Sequence, residues 1–280
     1  IINKKLLCVN QRRIKGLRIM QKRVNGVTLN YEIFGDSGAW VVLSHSLSCD
    51  LTMWGPQIDV LRQNYRVLAF DTRGHGGSEA TEGAYSLDQL ALDSKMLLEG
   101  LQIDRPHWVG LSLGGMIGMI HAINFPNSVA SLTLCDTTSR MPSENQSAWQ
   151  ERIDSARNNG MKGLVSNVLA RWFTDSFRSQ PRPELDFVSN LIQQTPVAGY
   201  VGCCHAISAI NCTDRLSEIS VPVKIIVGDS DVSTPLSMSH EIQAAVPGSS
   251  LSIIVGASHL SNLEQPRQFN EVMLNFLGQH

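Results

Sequence analysis

The 280-residue sequence has no apolar run long enough to cross a bilayer. Near its start, Lys4 and Lys5 precede only four apolar or weakly polar residues, whereas a secretory signal needs a longer apolar core. With 42% hydrophobic and 17% charged residues, the composition is that of an ordinary globular protein. The length suits one α/β domain with an insertion, and we expect no membrane partner.

Metal-binding and disulfide patterns are also missing. The six cysteines fit no zinc spacing, and the adjacent Cys203 and Cys204 rarely form a bond with each other. No cluster of His, Asp and Glu has the spacing of metal ligands. The segment 71–78, Asp-Thr-Arg-Gly-His-Gly-Gly-Ser, is not a phosphate cradle, since no strand–glycine–helix arrangement follows it. We therefore expect no metal and no cofactor, with reduced thiols in a cytoplasmic protein.

Acidic residues are absent from positions 1–23, which contain eight basic ones, while the rest of the chain carries about ten excess negative charges. Such a run can indicate nucleic acid, an anionic membrane surface or a targeting signal. The first residue is Ile, and Met20 lies just before the first clear strand. We therefore expect a basic N-terminal extension, either disordered or derived from sequence upstream of the true start, and no nucleic-acid partner.

Apolar strand patterns alternate with helical patterns over most of the chain. This alternation predicts a mainly parallel sheet with helices on both faces. Between 138 and 210 the pattern is helical without a convincing strand, which predicts a helical cap inserted into a core of 24–137 and 211–280. Strands are predicted at 27–34 (an edge strand), 41–43, 67–70, 107–110, 129–134, 223–227 and 251–255, and helices at 86–101, 113–125, 149–157, 161–173, 236–246 and 266–277.

The segment Gly110-Leu111-Ser112-Leu113-Gly114 has the Gly-x-Ser-x-Gly pattern of a nucleophile elbow. In that motif the serine occupies a tight, strained turn from strand to helix, so its near neighbours must be small. Here a buried strand precedes the pattern and a long apolar helix follows it, as the motif requires. Ser112 is therefore our predicted nucleophile.

A serine hydroxyl needs a base to take its proton. In this motif's chain order of Ser, acid, His, the base follows a late strand, and His259 directly follows the strand at 251–255. Asp231, after the strand at 223–227, is the predicted acid, with Asp229 and Asp136 as alternatives. The acid would hold the imidazole tautomer. For the oxyanion we expect the backbone N–H groups of Leu47 and Leu113.

These segments, together with His45-Ser46-Leu47, Trp54 and Ala257-Ser258-His259-Leu260-Ser261-Asn262, resemble 3-oxoadipate enol-lactonases. The likeness runs from about 24 to 277 and includes the cap segments 170–174 and 195–200. It implies the α/β-hydrolase fold with an eight-stranded sheet, no cofactor, and opening of a small lactone in bacterial aromatic catabolism through an acyl-enzyme on Ser112. Ser46 stands where many relatives have glycine.

The resemblance also implies that the cap roofs the substrate pocket. A lactone that carries a free carboxylate needs a cationic partner, for which Arg140, Arg152 and Arg171 are candidates. The expected substrate-binding residues are Trp149, Arg152, Arg171 and Trp172. A general carboxylesterase, arylesterase or perhydrolase would use the same triad on acyclic esters, and a ligand-sensing receptor on this fold is a third hypothesis. The expected partner is thus a small lactone or ester, and the sequence makes no prediction of oligomeric state.

Overall fold

The computed structural model of the protein describes residues 20–280, and residues 1–19 of the expected basic extension lie outside this range. Residues 20–23, which we had assigned to that extension, belong to the first strand of the sheet. Within residues 20–280, no helix is both long and apolar enough to cross a membrane.

One eight-stranded sheet forms the centre of the described part, in the order β1-β2-β4-β3-β5-β6-β7-β8. The pairs β1–β2 and β2–β4 are antiparallel, and all later pairs are parallel. This confirms the mainly parallel eight-stranded sheet expected from the resemblance. The strands are β1 Met20–Val24, β2 Val27–Phe34, β3 Trp40–Ser44, β4 Arg66–Phe70, β5 His107–Leu111, β6 Ser131–Cys135, β7 Val223–Gly228 and β8 Ser250–Ile254.

The first edge of the sheet differs from the sequence prediction. The segment at 27–34 was expected to be an edge strand, but β1 covers it through pairs such as Met20 with Tyr31. In β1, Val24 is buried while Gln21 and Arg23 are exposed. One face of β1 therefore meets water, and its charged residues hid the strand pattern in the sequence.

Helices cover both faces of the sheet. Contacts place α2, α3 and α9 on one face and α1 and α11 on the other. The helices are α1 Gly55–Leu61, α2 Leu87–Gly100, α3 Leu113–Asn124, α4 Gln146–Asn159, α5 Val165–Trp172, α6 Asp175–Arg178, α7 Pro183–Gln194, α8 Val197–Ser208, α9 Leu236–Ala245, α10 Ser261–Glu264 and α11 Pro266–Leu277.

Helices α4 to α8 lie within the range 138–210 that we predicted to be an inserted cap. Where the chain leaves the sheet and returns to it, Arg140 and Asn211 form an antiparallel bridge. The helix predicted at 161–173 is divided into a 3-10 turn, Met161–Leu164, and α5. Buried residues of the cap belong to the same apolar cluster as the core, so the cap packs directly on the sheet domain.

Candidate active site

Ser112 lies on the turn between β5 and α3, with φ 54° and ψ −113°, a conformation that costs energy for a residue with a side chain. Its neighbours are glycines for steric reasons. A Cβ on Gly110 would lie 2.2 Å from the Gly114 carbonyl oxygen, and one on Gly114 would lie 2.0 Å from the Ser44 carbonyl oxygen. The turn is therefore possible only because the chain has no side chains at these two positions.

Three predicted site residues form one hydrogen-bonded chain. The Ser112 Oγ lies 3.0 Å from His259 Nε2, and His259 Nδ1 lies 2.8 Å from Asp231 Oδ2. Residue 259 follows β8 and residue 231 follows β7, so the sheet brings together groups that are 147 and 28 positions apart. All three residues are buried. In this geometry Nδ1–H donates to the carboxylate and Nε2 faces the hydroxyl.

Further donors surround the Asp231 carboxylate. The N–H groups of Ser233 and Thr234 donate to Oδ1 at 2.7 and 3.0 Å, and the Thr234 hydroxyl donates to Oδ2 at 2.7 Å. Burial opposes the charged form, but His259 and the bonds from Thr234 outweigh it, and the pKa of Asp231 is lowered. The result is an ionised carboxylate fixed beside the imidazole.

The two alternative acids do not contact His259. Asp229 is exposed and accepts the Gly256 N–H at 3.0 Å. Asp136 is fully buried and accepts the Gly228 N–H at 2.8 Å and the Ser261 hydroxyl at 2.5 Å. Burial and the charge of Asp231 raise the pKa of Asp136 well above its usual value. The structure therefore brings Asp231, and neither alternative, to the imidazole.

The two backbone N–H groups expected at the oxyanion site are without acceptors among residues 20–280. Leu113 is the first residue of α3, so its N–H has no partner within the helix. Leu47 lies in the loop after β3. The carbonyl of Ser44, the last residue of β3, lies against Gly114. Within the described residues, both N–H groups are thus left without an acceptor.

Two buried histidines support the loop that contains Leu47. His75 Nε2 accepts the Ser48 N–H at 3.0 Å, and His45 Nε2 accepts the Thr72 N–H at 2.9 Å. Both rings therefore carry their proton on Nδ1 and are neutral. Burial, with the neighbouring His45, lowers the pKa of His75 to about 3. The segment 71–78 is thus structural, since Asp71 also accepts the Leu51 N–H at 2.7 Å.

Three of the four expected substrate-binding residues line a cavity of about 560 Å³ in the cap, namely Arg152, Arg171 and Trp172. The Trp172 ring lies 6.0 Å, centroid to centroid, from the His259 ring. Trp149 is not among the lining residues, and Arg152 instead stacks on its ring at 4.3 Å. Trp172 therefore lies between the cavity and the chain of hydrogen bonds from Ser112 to Asp231.

Neither Arg152 nor Arg171 forms an ion pair within the described part of the chain, although Glu151 also lines the cavity. Arg171 is an exposed residue, yet partial desolvation and the charge of Arg152 lower its pKa. Arg140, the third candidate, lines a different cavity and pairs with Glu241. The cavity beside Trp172 thus has two cationic groups available to an anion.

Some site residues escaped the sequence analysis. Thr234 bonds to Asp231, and Thr137 donates its hydroxyl to the Ser112 carbonyl at 2.7 Å. Thr234 could have been identified from the sequence, because it stands three residues after Asp231 and just before Pro235, a spacing typical of a local Asx turn. No sequence signal identifies Thr137, since it lies after β6 and is 25 positions from Ser112. Within 20–280, no group of three or more His, Cys, Asp or Glu could hold a metal ion.

Comparison with known proteins assigns the family. Residues 39–266 match the α/β hydrolase fold family. A 3-oxoadipate enol-lactonase of Acinetobacter baylyi is 34% identical over 88% of this chain and 92% of its own. The crystal structure of the enol-lactonase from Burkholderia xenovorans has a TM-score of 0.89 and 35% identity, covering 92% and 100% of the two chains. A thermophilic esterase from Thermogutta terrifontis has a TM-score of 0.86 and 26% identity, covering 94% and 98%. The chain therefore belongs to the α/β-hydrolase fold family, and two enol-lactonases are similar to it at 34% and 35% identity.

Proposed function

We propose that the protein is a serine hydrolase that opens a small lactone through an acyl-enzyme on Ser112. The observation that carries the proposal is the hydrogen-bonded chain from Ser112 through His259 to Asp231. In such a chain, the carboxylate orients the imidazole and stabilises the imidazolium that forms during proton transfer. The enol-lactonase relatives favour a lactone as the substrate class.

The reaction proceeds in two steps. Ser112 Oγ attacks the lactone carbonyl while His259 Nε2 takes the hydroxyl proton, and the N–H groups of Leu47 and Leu113 bind the oxyanion. The ring C–O bond then breaks, and His259 returns the proton to the departing oxygen, which stays tethered to the acyl group. Water, deprotonated by His259, then attacks the acyl carbon. The bond from that carbon to Ser112 Oγ breaks, His259 returns the proton to Oγ, and the carboxylic acid leaves.

Arg152 and Arg171 support a substrate that carries a carboxylate. They lack carboxylate partners within the described residues and line the cavity whose wall includes Trp172, beside His259. Guanidinium groups bind carboxylates through strong, directional hydrogen bonds. A 3-oxoadipate enol-lactone, the substrate named by the relatives, has one free carboxylate in addition to its ring. By the same resemblance, the proposal places the enzyme in aromatic catabolism.

The test compares hydrolysis of 3-oxoadipate enol-lactone with hydrolysis of p-nitrophenyl acetate. We expect the lactone to have the higher kcat/KM, and Ser112→Ala to abolish both activities while the circular dichroism spectrum stays unchanged. Turnover that survives in the Ser112→Ala variant would refute the mechanism. Turnover of the acyclic ester alone would refute the lactone as substrate.

A general esterase acting on acyclic or aryl esters is the second candidate, favoured by the 26%-identical esterase with a TM-score of 0.86. It uses the same residues and predicts no preference for anionic substrates. A cytoplasmic location also belongs to the proposal, and it is supported by five buried cysteines with free thiols in residues 20–280.

A further inference from the structure

The segment that contains His259 is bonded to the cap on both sides of the histidine. The Ser258 hydroxyl lies 2.9 Å from the Arg171 carbonyl, and the Leu260 N–H donates to the Trp172 carbonyl at 3.2 Å. The cap residues in these bonds are the same ones that line the cavity. The position of the imidazole is therefore linked to the position of the cavity wall by hydrogen bonds to the backbone carbonyls of the cap.

Glu264 completes this contact with a single carboxylate. Its Oε2 accepts the Ser258 N–H at 2.8 Å, on the side of the histidine. Its Oε1 accepts the Thr174 N–H at 3.0 Å and the Thr174 hydroxyl, on the side of the cap. The residue is 5% exposed and has no cationic partner within 20–280. A buried carboxyl group is costly unless hydrogen bonds satisfy it, and these three bonds do so.

We infer that Glu264 is a positioning residue that fixes the His259 segment and the α5–α6 corner of the cap relative to each other. It touches no reacting atom and acts through Ser258 and Thr174. This inference rests on the proposed function, because the quantity that Glu264 sets is the distance and angle of His259 toward Ser112. A small displacement of a base lowers the reaction rate strongly, by about 100-fold for 1 Å.

The chemistry of the site explains why a carboxylate is required. Both of its oxygens accept hydrogen bonds, and each of the three groups bonded to them is a donor. An amide of the same shape has one oxygen and one NH2 group, so Glu264→Gln turns a donor toward either Ser258 or Thr174. That variant must lose one side of the contact, while Glu271→Gln makes the same change at an exposed residue of α11 and serves as the control.

The test measures the rate at which a fluorophosphonate labels Ser112, together with kcat for p-nitrophenyl acetate per labelled site. Both quantities report how well His259 activates the serine, and normalising to labelled sites removes any loss of folded protein. We expect Glu264→Gln to lower both about tenfold or more, with KM for the small ester unchanged, and Glu271→Gln to match the parent. Thr174→Val, which removes only the hydroxyl, should lower both by less, and Thr174→Ser should restore them.

Equal labelling rates in Glu264→Gln and Glu271→Gln would overturn the inference. If Glu264→Gln does not fold, the pair Thr174→Val and Thr174→Ser decides, and parent-like rates in both would overturn it. A failure of the proposed function looks different, because the parent would then be labelled no faster than Ser112→Ala. That outcome would refute both the mechanism and the role of Glu264.

Discussion

Asp136 and Asp231 follow neighbouring strands and are both buried, but their partners give them opposite charge states. Asp231 has its pKa lowered by His259 and by Thr234, whereas burial and the charge of Asp231 raise the pKa of Asp136. The surroundings therefore favour the neutral form of Asp136 and the charged form of Asp231. One negative charge, rather than two, then faces the imidazolium that forms during catalysis.

Replacing each acid by asparagine separates these roles. Asp231→Asn should lower kcat about 10³- to 10⁴-fold, because the amide cannot stabilise the imidazolium or hold its tautomer. Asp136→Asn should stay within a few-fold of the parent, since Asp136 does not contact His259 and the amide oxygen can still accept the Gly228 N–H. Steady-state kinetics at neutral pH measure both. A larger loss in Asp136→Asn than in Asp231→Asn would reverse the assignment.

A substitution at Gly114 can test the close packing of the turn that contains Ser112. A Cβ there would lie 2.0 Å from a backbone oxygen that cannot move aside, so Gly114→Ala should lower the free energy of unfolding by about 1–3 kcal/mol. Gly55→Ala is the control, because that position has no atom within 4 Å of an added Cβ. Urea unfolding compares the two. Equal stability of both variants would contradict the steric argument.

At the scale of elements, the sequence predicted what depends on local pattern. The buried strands and α3 have apolar patterns that end in glycine or polar turns, which is why the order Ser112, Asp231, His259 could be aligned with strand ends. Strand β1 was missed, since its exposed Gln21 and Arg23 are part of a charge run. The Glu264 contact joins residues 90 positions apart, and no local pattern encodes it.

The cap helices supply a prediction about recognition. Arg152 lies on α4 and Arg171 on α5, and both face one cavity without an ion pair among residues 20–280. A charged hydrogen bond is worth about 1.5–3 kcal/mol, so Arg152→Gln and Arg171→Gln should each raise KM for the carboxylate-bearing lactone about tenfold or more. KM for p-nitrophenyl acetate should not change.

Arg140→Gln is the matched control for the cap arginines, because Arg140 pairs with Glu241 and lines another cavity. We expect it to leave KM for both substrates unchanged. A rise in the KM for p-nitrophenyl acetate in Arg152→Gln or Arg171→Gln would mean that the substitution disturbs the cap rather than removing a carboxylate contact.

For the whole molecule, the pH dependence of stability combines buried groups whose contributions change with pH in opposite directions. Burial lowers the pKa of His75 to about 3 and of His121, which also feels Lys95, to about 4, from an ordinary 6.5. Their contribution is complete above pH 6.5 and is lost as pH falls, because only the unfolded chain binds the protons. Burial raises the pKa of Asp71 to about 6 from 3.8, so its contribution is greatest below pH 3.8 and is lost as pH rises toward 6. The plot of the free energy of unfolding against pH is therefore flattened, and single variants are needed to measure the contribution of each group.

His121 offers the clearest such variant. Its ring lies in α3 between Trp108 and Phe125, with Nδ1 3.0 Å from the Ser94 hydroxyl and no partner for Nε2 within residues 20–280. His121→Phe keeps a ring there but removes the titration. Between pH 6.5 and 4, the free energy of unfolding of the parent falls by about 3 kcal/mol through this group. The variant lacks this loss, so its stability relative to the parent should rise by the same amount as the pH falls. His240→Phe introduces the same ring at an exposed position and serves as the control. Urea unfolding from pH 7.5 to 4 measures these differences, and a constant gap between parent and His121→Phe would show that His121 is not held neutral by the fold.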